Sequence, residues 1–378
     1  MTDLLTYLVP REQAMLADLE AFVTRETPST EKPLLDAFAA YLAEYAAAIG
    51  APEVELVPVA DHGDHLRIRW NGSSAEAPVL MLAHYDTVWP TGTLATMPFS
   101  IVDGVIRGPG VFDMKGGMLQ GFWAVRALLE HGGLRRPVVY LCTSDEEIGS
   151  KTSRALIERE AHDAAAVLVL EPSSGAGGAL VTARKGVGMF HVEVDGRAAH
   201  AGRDPFAGVS AIDEIARLTL DLHALTDAAA GTTVNVGVIQ GGTRSNVIAA
   251  HAEARVDVRA ADPASMEQVT RDILALRPHQ PEARVRISGG ANRPPMERAA
   301  GTALLYDTAA RLGAAMGVNV EETSTGGGSD GNFCAALGRP VLDGMGAVGG
   351  GAHALTEHAL ASEMPRRAAL LAALLASL

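Results

Sequence analysis

Cysteine is nearly absent from these 378 residues: Cys142 and Cys334 are the only two. That is too few for a disulfide framework, and the apolar stretch from Val138 to Cys142 makes the first thiol a core residue. Positive charge is short as well, with 31 Lys and Arg against 45 Asp and Glu and a formal net charge of −14. Aromatic residues make up 4% of the chain and nowhere interleave with a run of Lys and Arg. The electrostatic footprint of a nucleic-acid-binding surface is therefore missing, and no nucleic-acid partner is expected. No apolar run reaches the roughly 18 residues needed to cross a bilayer. The opening Met1 to Arg11 has no basic stretch, apolar core and small-residue cleavage site of a secretory signal. These features predict a cytoplasmic protein with no membrane partner. Internal repeats and low-complexity linkers are also lacking. The Gly clusters near Gly326 and Gly349 do not continue as Gly-Lys-Ser/Thr, so neither is a phosphate cradle.

What is present is apolar material: 48% of residues are hydrophobic, enough for a substantial core and incompatible with disorder. The length favours two domains. In the first half, short apolar runs at Val79 to Ala83, Val138 to Cys142 and Ala165 to Leu170 read as strands. Between the first two, Met114 to His131 has helical periodicity and ends at Gly132-Gly133. Strands alternating with helices predict an α/β fold with a mostly parallel sheet flanked by helices. Ala37 to Ile49 and Ala368 to Leu378 read as packed helices.

The middle changes character. Val187 to Val194 reads as a strand, Pro205 to Ala224 as a helix, then Thr233 to Ile239 and Val247 to Arg259 as strands. Ala264 to Leu276 follows as a helix and Ala283 to Ser288 as a last strand. The third strand alternates small apolar residues (Ala250, Ala252, Ala254, Val256, Val258) with polar ones (His251, Glu253, Arg255, Asp257, Arg259), as in a sheet with one buried face. The order β-α-β-β-α-β is that of a ferredoxin-like unit. After Arg293-Pro294-Pro295 the α/β pattern returns, with a helix near Thr302 to Ala315. The expected organisation is a discontinuous catalytic domain, 1–184 and 294–378, carrying an inserted domain at 185–293.

Five separated residues have the character of metal ligands: His84, Asp113, Glu147, Glu171 and His353. Three stand at or just beyond the carboxyl end of a predicted strand, where open α/β sheets bind their ligands. Two imidazoles and three carboxylates suit a pair of zinc ions sharing one carboxylate. Ligands of nitrogen and oxygen, without thiolate, suit a catalytic rather than a closed structural site. Taken singly, each has a plainer reading. His84 alone reads as a satisfied structural histidine, Glu146-Glu147 as a solvated acidic pair, Asp113 as a helix cap and Glu171-Pro172 as a strand end.

In order, the motifs are His84-Tyr85-Asp86-Thr87-Val88, Gly110-Val111-Phe112-Asp113-Met114-Lys115-Gly116-Gly117, Asp145-Glu146-Glu147-Ile148-Gly149-Ser150 and Glu171-Pro172. Ala199-His200-Ala201-Gly202, Thr325-Gly326-Gly327-Gly328-Ser329-Asp330 and His353 complete the series. Across nearly its whole length the chain thereby resembles the di-zinc aminoacylase and carboxypeptidase family of acetylornithine deacetylase and succinyl-diaminopimelate desuccinylase type. Within it, the resemblance is greatest to bacterial glutamate carboxypeptidase (glucarpidase).

The resemblance implies two Zn2+ per subunit, with Co2+ or Mn2+ as substitutes. Asp113 would bridge them, His84 and Glu171 completing one site, Glu147 and His353 the other. Three carboxylates would leave about one positive charge on such a pair. It implies Glu146 as general base toward a metal-activated water, Asp86 behind His84, and His200 as an oxyanion donor reaching a neighbouring subunit. The inserted domain would thus be a dimerisation or lid domain of a homodimer. Asn246, Arg259, Arg293 and Gly327 match positions that bind the substrate's free carboxylate, although Arg259 also reads as a solvated charge on its alternating strand. The chain departs from glutamate carboxypeptidase at Gly175-Ala176-Gly177-Gly178-Ala179, which has no lysine for a glutamate side chain; Arg184 and Lys185 follow.

The implied activity is a metal-dependent exopeptidase or amidase. It would hydrolyse the amide between an acyl or peptidyl group and a C-terminal amino acid with a free carboxylate, through metal-bound water. The substrate is then a small N-acyl-amino acid or peptide. An N-acyl-amino-acid deacylase uses the same residues with a different pocket, and an inactive metal-binding module is the reading from another class. His191, His223, His251 and His358 receive no role.

Overall fold

Strands as uniformly apolar as Val79 to Ala83, Val138 to Cys142 and Ala166–Val169 belong in an interior, and they form the middle of the larger sheet. The computed structural model describes residues 2–378. Its six-stranded sheet runs, in spatial order, Glu53–Val57, His65–Trp70, Val138–Thr143, Val79–His84, Ala166–Val169 and Val341–Leu342. The first two junctions are antiparallel and the other three parallel. All residues of Val79–His84, Val138–Thr143 and Ala166–Val169 are buried, as expected for parallel strands covered on both faces. The edge strand Glu53–Val57 is mostly exposed and carries Glu53 and Glu55, charges that discourage further strand pairing.

The helix Gly117–Glu130 is buried over most of its surface and packs against the C-terminal helix Glu363–Ser377. A helix apolar nearly all round belongs inside a core. The expected helix from Met114 begins later: Val111–Gly116 is an irregular π-type turn with extended backbone at Asp113, and regular helix starts at Gly117. Gly117 has a steric reason. A Cβ there would lie 2.0 Å from the Leu170 carbonyl oxygen, so this helix can approach the strand end carrying Glu171 only through glycine.

The chain divides into two compact units. One comprises the segments up to Ala183, Arg298–Thr325 and Ser329–Leu378; the other comprises Arg184–Glu297 and Gly326–Gly328. The return to the first unit thus falls at Arg298 rather than Pro294, and the Gly-rich turn goes with the inserted unit.

The second unit has a four-stranded antiparallel sheet, in spatial order Thr233–Gly241, His251–Ala260, Gly186–Asp195 and Arg284–Arg293. In sequence this is β-α-β-β-α-β, the ferredoxin-like order. Ala252, Ala254, Val256 and Val258 face a core shared with Ile215, Leu218, Val269 and Ile273 of its two helices. Three boundaries differ clearly from the sequence pattern, one being the end of the last strand, which runs beyond Ser288 to Arg293. Pro205–Ala207 is a separate 3₁₀ turn, and the helix proper is Ala211–Ala224, started by the Ser210 hydroxyl accepting from the Asp213 N–H at 3.2 Å. The expected strand from Val247 begins at His251 and runs to Ala260.

Arg367, buried in the C-terminal helix, fastens the first unit's rim. Its guanidinium donates to the carbonyls of Gly346 (3.1 Å), Gly178 (3.0 Å) and Gly344. Gly346 in turn donates its N–H to the Glu171 carbonyl at 2.9 Å. Burial pulls the guanidinium pKa down to about 10, so it remains charged at neutral pH. Arg367→Met, which keeps the stem and strips three buried carbonyls of their donor, is expected to cost about 3 kcal/mol or more. Denaturant unfolding of the purified variant measures this.

Candidate active site

Parallel register brings the candidate ligands to one rim. His84 pairs with Thr143 across one junction, and Leu82 pairs with Val169 across the other. Residues just beyond those pairs, Glu146 and Glu147 on one side and Glu171 on the other, therefore emerge beside His84. The turn after Thr143 is closed by the Gly149 N–H donating to the Glu146 carbonyl at 2.9 Å, with Gly149 at φ +95°. Only a left-handed backbone makes this reversal, which suits the glycine.

The five expected ligands converge. His84 Nε2 lies 3.3 Å from Asp113 Oδ1 and 3.6 Å from Glu171 Oε1. His353 Nε2 lies 3.3 Å from Asp113 Oδ2 and 3.2 Å from Glu147 Oε2. Asp113 thus presents one oxygen to each imidazole. Two ligands of a tetrahedral zinc, each about 2.0–2.2 Å from the ion, stand about 3.3–3.6 Å from one another. The four separations have the size of ligand–ligand edges in two polyhedra sharing Asp113. Asp113 Oδ1 is also buried without a hydrogen bond, an orphan that a cation would satisfy. Glu146 stands close by: one atom each from His84, Glu146 and Glu171 lie within 4.8 Å of one another, as do atoms of His84, Asp113 and Glu147. The residues fit a metal pair.

The tautomer of His84 follows from its neighbours. Nδ1 lies 3.0 Å from the Asp86 carbonyl oxygen, which can only accept, so Nδ1 keeps its proton and Nε2 is the nitrogen that can ligate once it gives up its own. The Asp86 carboxylate, fully buried, accepts from the N–H groups of Glu146 and Glu147, each at 3.2 Å, and from the Ser29 hydroxyl at 2.8 Å. Asp86 therefore sets the turn that carries both glutamates as well as the ring of His84.

Electrostatically the cluster is a set of carboxylates and imidazoles holding protons for one another. Burial alone would raise the Asp113 pKa, yet His353 and His84 hold it well below the usual carboxylate range. Burial likewise opposes charge on His84, but Asp113 and Asp86 keep its pKa well above the imidazole norm. Asp113 and Glu147 push His353 up to about 10. Burial raises Glu147, with His353 pulling the other way. His353 also has a left-handed backbone, φ +61°, unusual for a residue with a Cβ and characteristic of functional loops.

Three supporting residues carried no expectation. Glu357, fully buried, accepts from the N–H groups of Gly110 (3.0 Å), Phe112 (3.0 Å) and Asp113 (3.1 Å), and from the Trp89 indole at 2.7 Å. It holds the Asp113 turn from behind. Asp330 accepts from the hydroxyls of Ser150 and Thr143 and ties the glutamate turn to the next segment. Ser29 supports Asp86. Glu357 closes the His353-to-Glu357 run, and its spacing was the available signal; nothing local marks Ser29.

His200, Asn246, Arg259, Arg293 and Gly327 all belong to the second unit. Arg259 and Arg293 both register with Val187, one on each neighbouring strand. The Gly-rich turn lies over them: Arg259 donates to the Gly326 carbonyl at 3.4 Å, and a Cβ on Gly328 would lie 2.9 Å from Arg293 Cδ. Arg259 also grips Asp257 on its own strand at 2.8 and 2.9 Å. Arg184 and Lys185 donate to the carbonyls of Gly327 and Gly231. His200 and Asn246 are elsewhere, beyond the other end of the Gly186–Asp195 strand, where His200 bridges Val247 and Ala201 donates to the Asn246 carbonyl. About 25 Å of strand separates the two groups. Asn246 therefore does not join Arg259 and Arg293 within one chain. His200 Nδ1 accepts from the N–H groups of Gly202 (3.1 Å) and Arg203 (3.2 Å), which leaves its proton on Nε2 as a donor.

Comparison with known proteins bears on this arrangement. A model of Peptidase family M20/M25/M40 matches residues 80–377. Carboxypeptidase G2 of Pseudomonas sp. (strain RS-16) is 33% identical over 308 residues, covering 79% of this chain and 74% of that protein. Acetylornithine deacetylase of Myxococcus xanthus is 30% identical over 262 residues, covering 62% of this chain and 64% of that one. Among solved structures, aminopeptidase PepT from Bacillus cereus has the same fold, with a TM-score of 0.79 and 23% identity over 96% of this chain and 98% of its own. An M20 family metallo-carboxypeptidase from Sulfolobus solfataricus follows at a TM-score of 0.75 and 19% identity, over 96% and 99% of the two chains.

Metal loading should release protons. Below about pH 10 the His353 ring of the metal-free protein is protonated, because Asp113 and Glu147 raise its pKa to about 10, and only the neutral ring can ligate. Calorimetric titration of the metal-free protein with zinc at pH 7, in buffers of differing protonation enthalpy, is expected to show about one proton or more released per chain. The same sign makes zinc affinity fall as pH falls.

Proposed function

Because the chain belongs to Peptidase family M20/M25/M40 and is a metal-dependent hydrolase, we propose that it is a di-zinc exopeptidase of the glutamate carboxypeptidase type. It would release a C-terminal amino acid with a free carboxylate from an acyl or peptidyl group. The observation that carries this reading is Asp113, with an imidazole 3.3 Å from each of its two oxygens. His84 and Glu171 would complete one ion's ligands, Glu147 and His353 the other's. Bound there, two ions would supply Lewis acidity toward the scissile carbonyl and lower the pKa of water. Co2+ or Mn2+ can substitute, since the donors are nitrogen and oxygen alone.

Glu146 is the proton carrier in this scheme. Asp86 holds its backbone beside the cluster, and its carboxylate, near His84 and Glu171, would take a proton from the attacking water and return it to the leaving amine. His200, with its proton on Nε2, has the tautomer that donates to a developing oxyanion. Arg259 and Arg293, side by side under Gly326 to Gly328, form a planar-fork pair suited to a free carboxylate, with Gly327 giving backbone access.

Homodimerisation through the inserted unit is supported by its geometry. One small substrate cannot touch both the arginines and the His200–Asn246 pair of a single chain when about 25 Å of strand lies between them. A second copy supplying His200 and Asn246 resolves this. A cytoplasmic location rests on Cys142 and Cys334 being free and buried; among the described residues no helix is long and apolar enough to cross a membrane. The similarity to acetylornithine deacetylase supports a second reading, a deacylase using the same centre.

Glu146→Gln is expected to retain the wild-type metal content while turnover falls about 10²–10⁴-fold. Elemental analysis beside steady-state hydrolysis of N-acyl-amino acids and dipeptides reads both quantities; near-normal turnover removes the base assignment. His200→Ala should keep its metal and lose activity. Mixing it with Glu146→Gln should restore part of that activity in heterodimers if His200 acts on the neighbouring subunit.

A further inference from the structure

A groove of about 300 Å³ opens in the first unit directly beside the candidate metal ligands, with Glu147 and Ile148 on one side. Val88, Trp89 and Pro90, which follow the His84 to Thr87 stretch, also line it, and Pro28 contributes. Val88 is 43% exposed, a large apolar side chain turned to open space immediately after buried Thr87.

The walls are fixed in place. Thr87 donates its N–H to the Thr27 carbonyl at 2.8 Å, and Ser29 returns an N–H to the Thr87 carbonyl at 3.2 Å. The Trp89 indole is pinned by Glu357 at 2.7 Å, the same carboxylate that holds the backbone of Asp113. The position of the ring is therefore coupled to that of the bridging ligand, so the groove is registered to the reacting centre.

Its chemistry is one-sided. No Lys or Arg lines it; of its two charged side chains, Glu147 is a candidate metal ligand and Glu31 is the other carboxylate of the wall. Lys32, next along the chain, pairs instead with Asp36 and Asp64 at 2.9 and 2.8 Å. A groove without a cation is a poor receptor for the half of the substrate that bears the free carboxylate, so its occupant is the other half. Its volume is at the lower limit of small-molecule pockets, roughly 300 Å³, enough for one ring or a branched aliphatic chain.

We propose, resting on the peptidase reading above, that this groove receives the acyl side of the scissile amide, that it prefers an uncharged aromatic or aliphatic acyl group to an anionic one, and that Trp89 and Val88 set the preference. Full burial of a ring or branched chain against these side chains favours such substrates by at least about tenfold over a small acyl group. A dicarboxylic acyl group would instead set its second carboxylate against Glu31.

The test uses the zinc-loaded full-length enzyme and the N-benzoyl, N-acetyl and N-succinyl derivatives of one amino acid. Wild-type kcat/KM is expected in the order benzoyl, acetyl, succinyl. Trp89→Ala should erase the benzoyl advantage while Trp89→Phe keeps most of it. Val88→Lys, at an exposed position that tolerates charge, should raise succinyl relative to benzoyl by about tenfold or more. A wild-type preference for succinyl overturns the proposal. So does a benzoyl-to-succinyl ratio that neither Val88→Lys nor Trp89→Phe or Trp89→Ala moves. Absence of hydrolysis of all three, in protein with its full metal content, overturns the peptidase reading and this inference with it; selective loss of the ordering overturns the inference alone.

Discussion

A largely buried carboxylate with an imidazole against each oxygen is an expensive object, and Asp113 is one. Desolvation favours its neutral form, yet the two histidines keep it ionised, and Oδ1 still has no hydrogen bond. Such a group persists only where the surroundings hold it rigidly and a cation relieves it. The surroundings are visible. Glu357 takes three backbone N–H groups of the Asp113 turn, Asp86 takes two of the glutamate turn and orients His84, and Ser29 secures Asp86. Asp113, His84 and the Glu146-Glu147 turn are each held by a further carboxylate or carbonyl. This is the arrangement by which outer groups tune a metal centre.

The sheet explains how distant residues reach one place. Parallel strands end on the same side, so His84, Glu147 and Glu171 emerge together although they are dozens of residues apart. Close approach of the helix Gly117–Glu130 to that rim requires glycine at 117, and the loop at Gly346 meets the Leu170 carbonyl under the same constraint, 2.2 Å from an added Cβ. Arg367 anchors that loop from the core. Fold stability and site geometry are thus coupled through a few backbone contacts rather than through side-chain packing alone. In the second unit the same logic runs the other way. A strand ten residues long keeps the arginine pair and the His200–Asn246 pair at opposite ends.

Three of the candidate ligands, His84, Glu147 and Glu171, were legible in the sequence because each closely follows a short apolar run, and a buried parallel strand has few other ways to be written; Asp113 and His353 follow glycine-containing stretches and stood out only through their motifs. The inserted β-α-β-β-α-β unit was equally readable from the alternation between Ala252 and Arg259, which the burial follows residue by residue. Helix starts were less so. The apolar spacing runs back to Pro205, but Gly208 and the Ser210 cap interrupt it, and the helix begins at Ala211. Met114 has helical spacing too, yet the backbone around Asp113 is irregular so that the carboxylate can face two partners. Glu357 and Ser29 were assigned no role, and Asp330 stood in a motif without one, for a shared reason. Their partners lie far away in sequence, and no local periodicity records such a bond. Asn246 was grouped with Arg259 and Arg293 because all three match carboxylate-binding positions of the resembled family, a match that carries no information about which end of a strand a residue occupies in one chain.

The central claim is that Asp113 lies between two cations. Crystals of the zinc-loaded protein, with diffraction recorded on both sides of the zinc absorption edge, test it directly. The account predicts two anomalous peaks about 3.5–4 Å apart, one flanked by His84 and Glu171, the other by Glu147 and His353, with an Asp113 oxygen toward each. A single peak, or two peaks that Asp113 does not bridge, would contradict it.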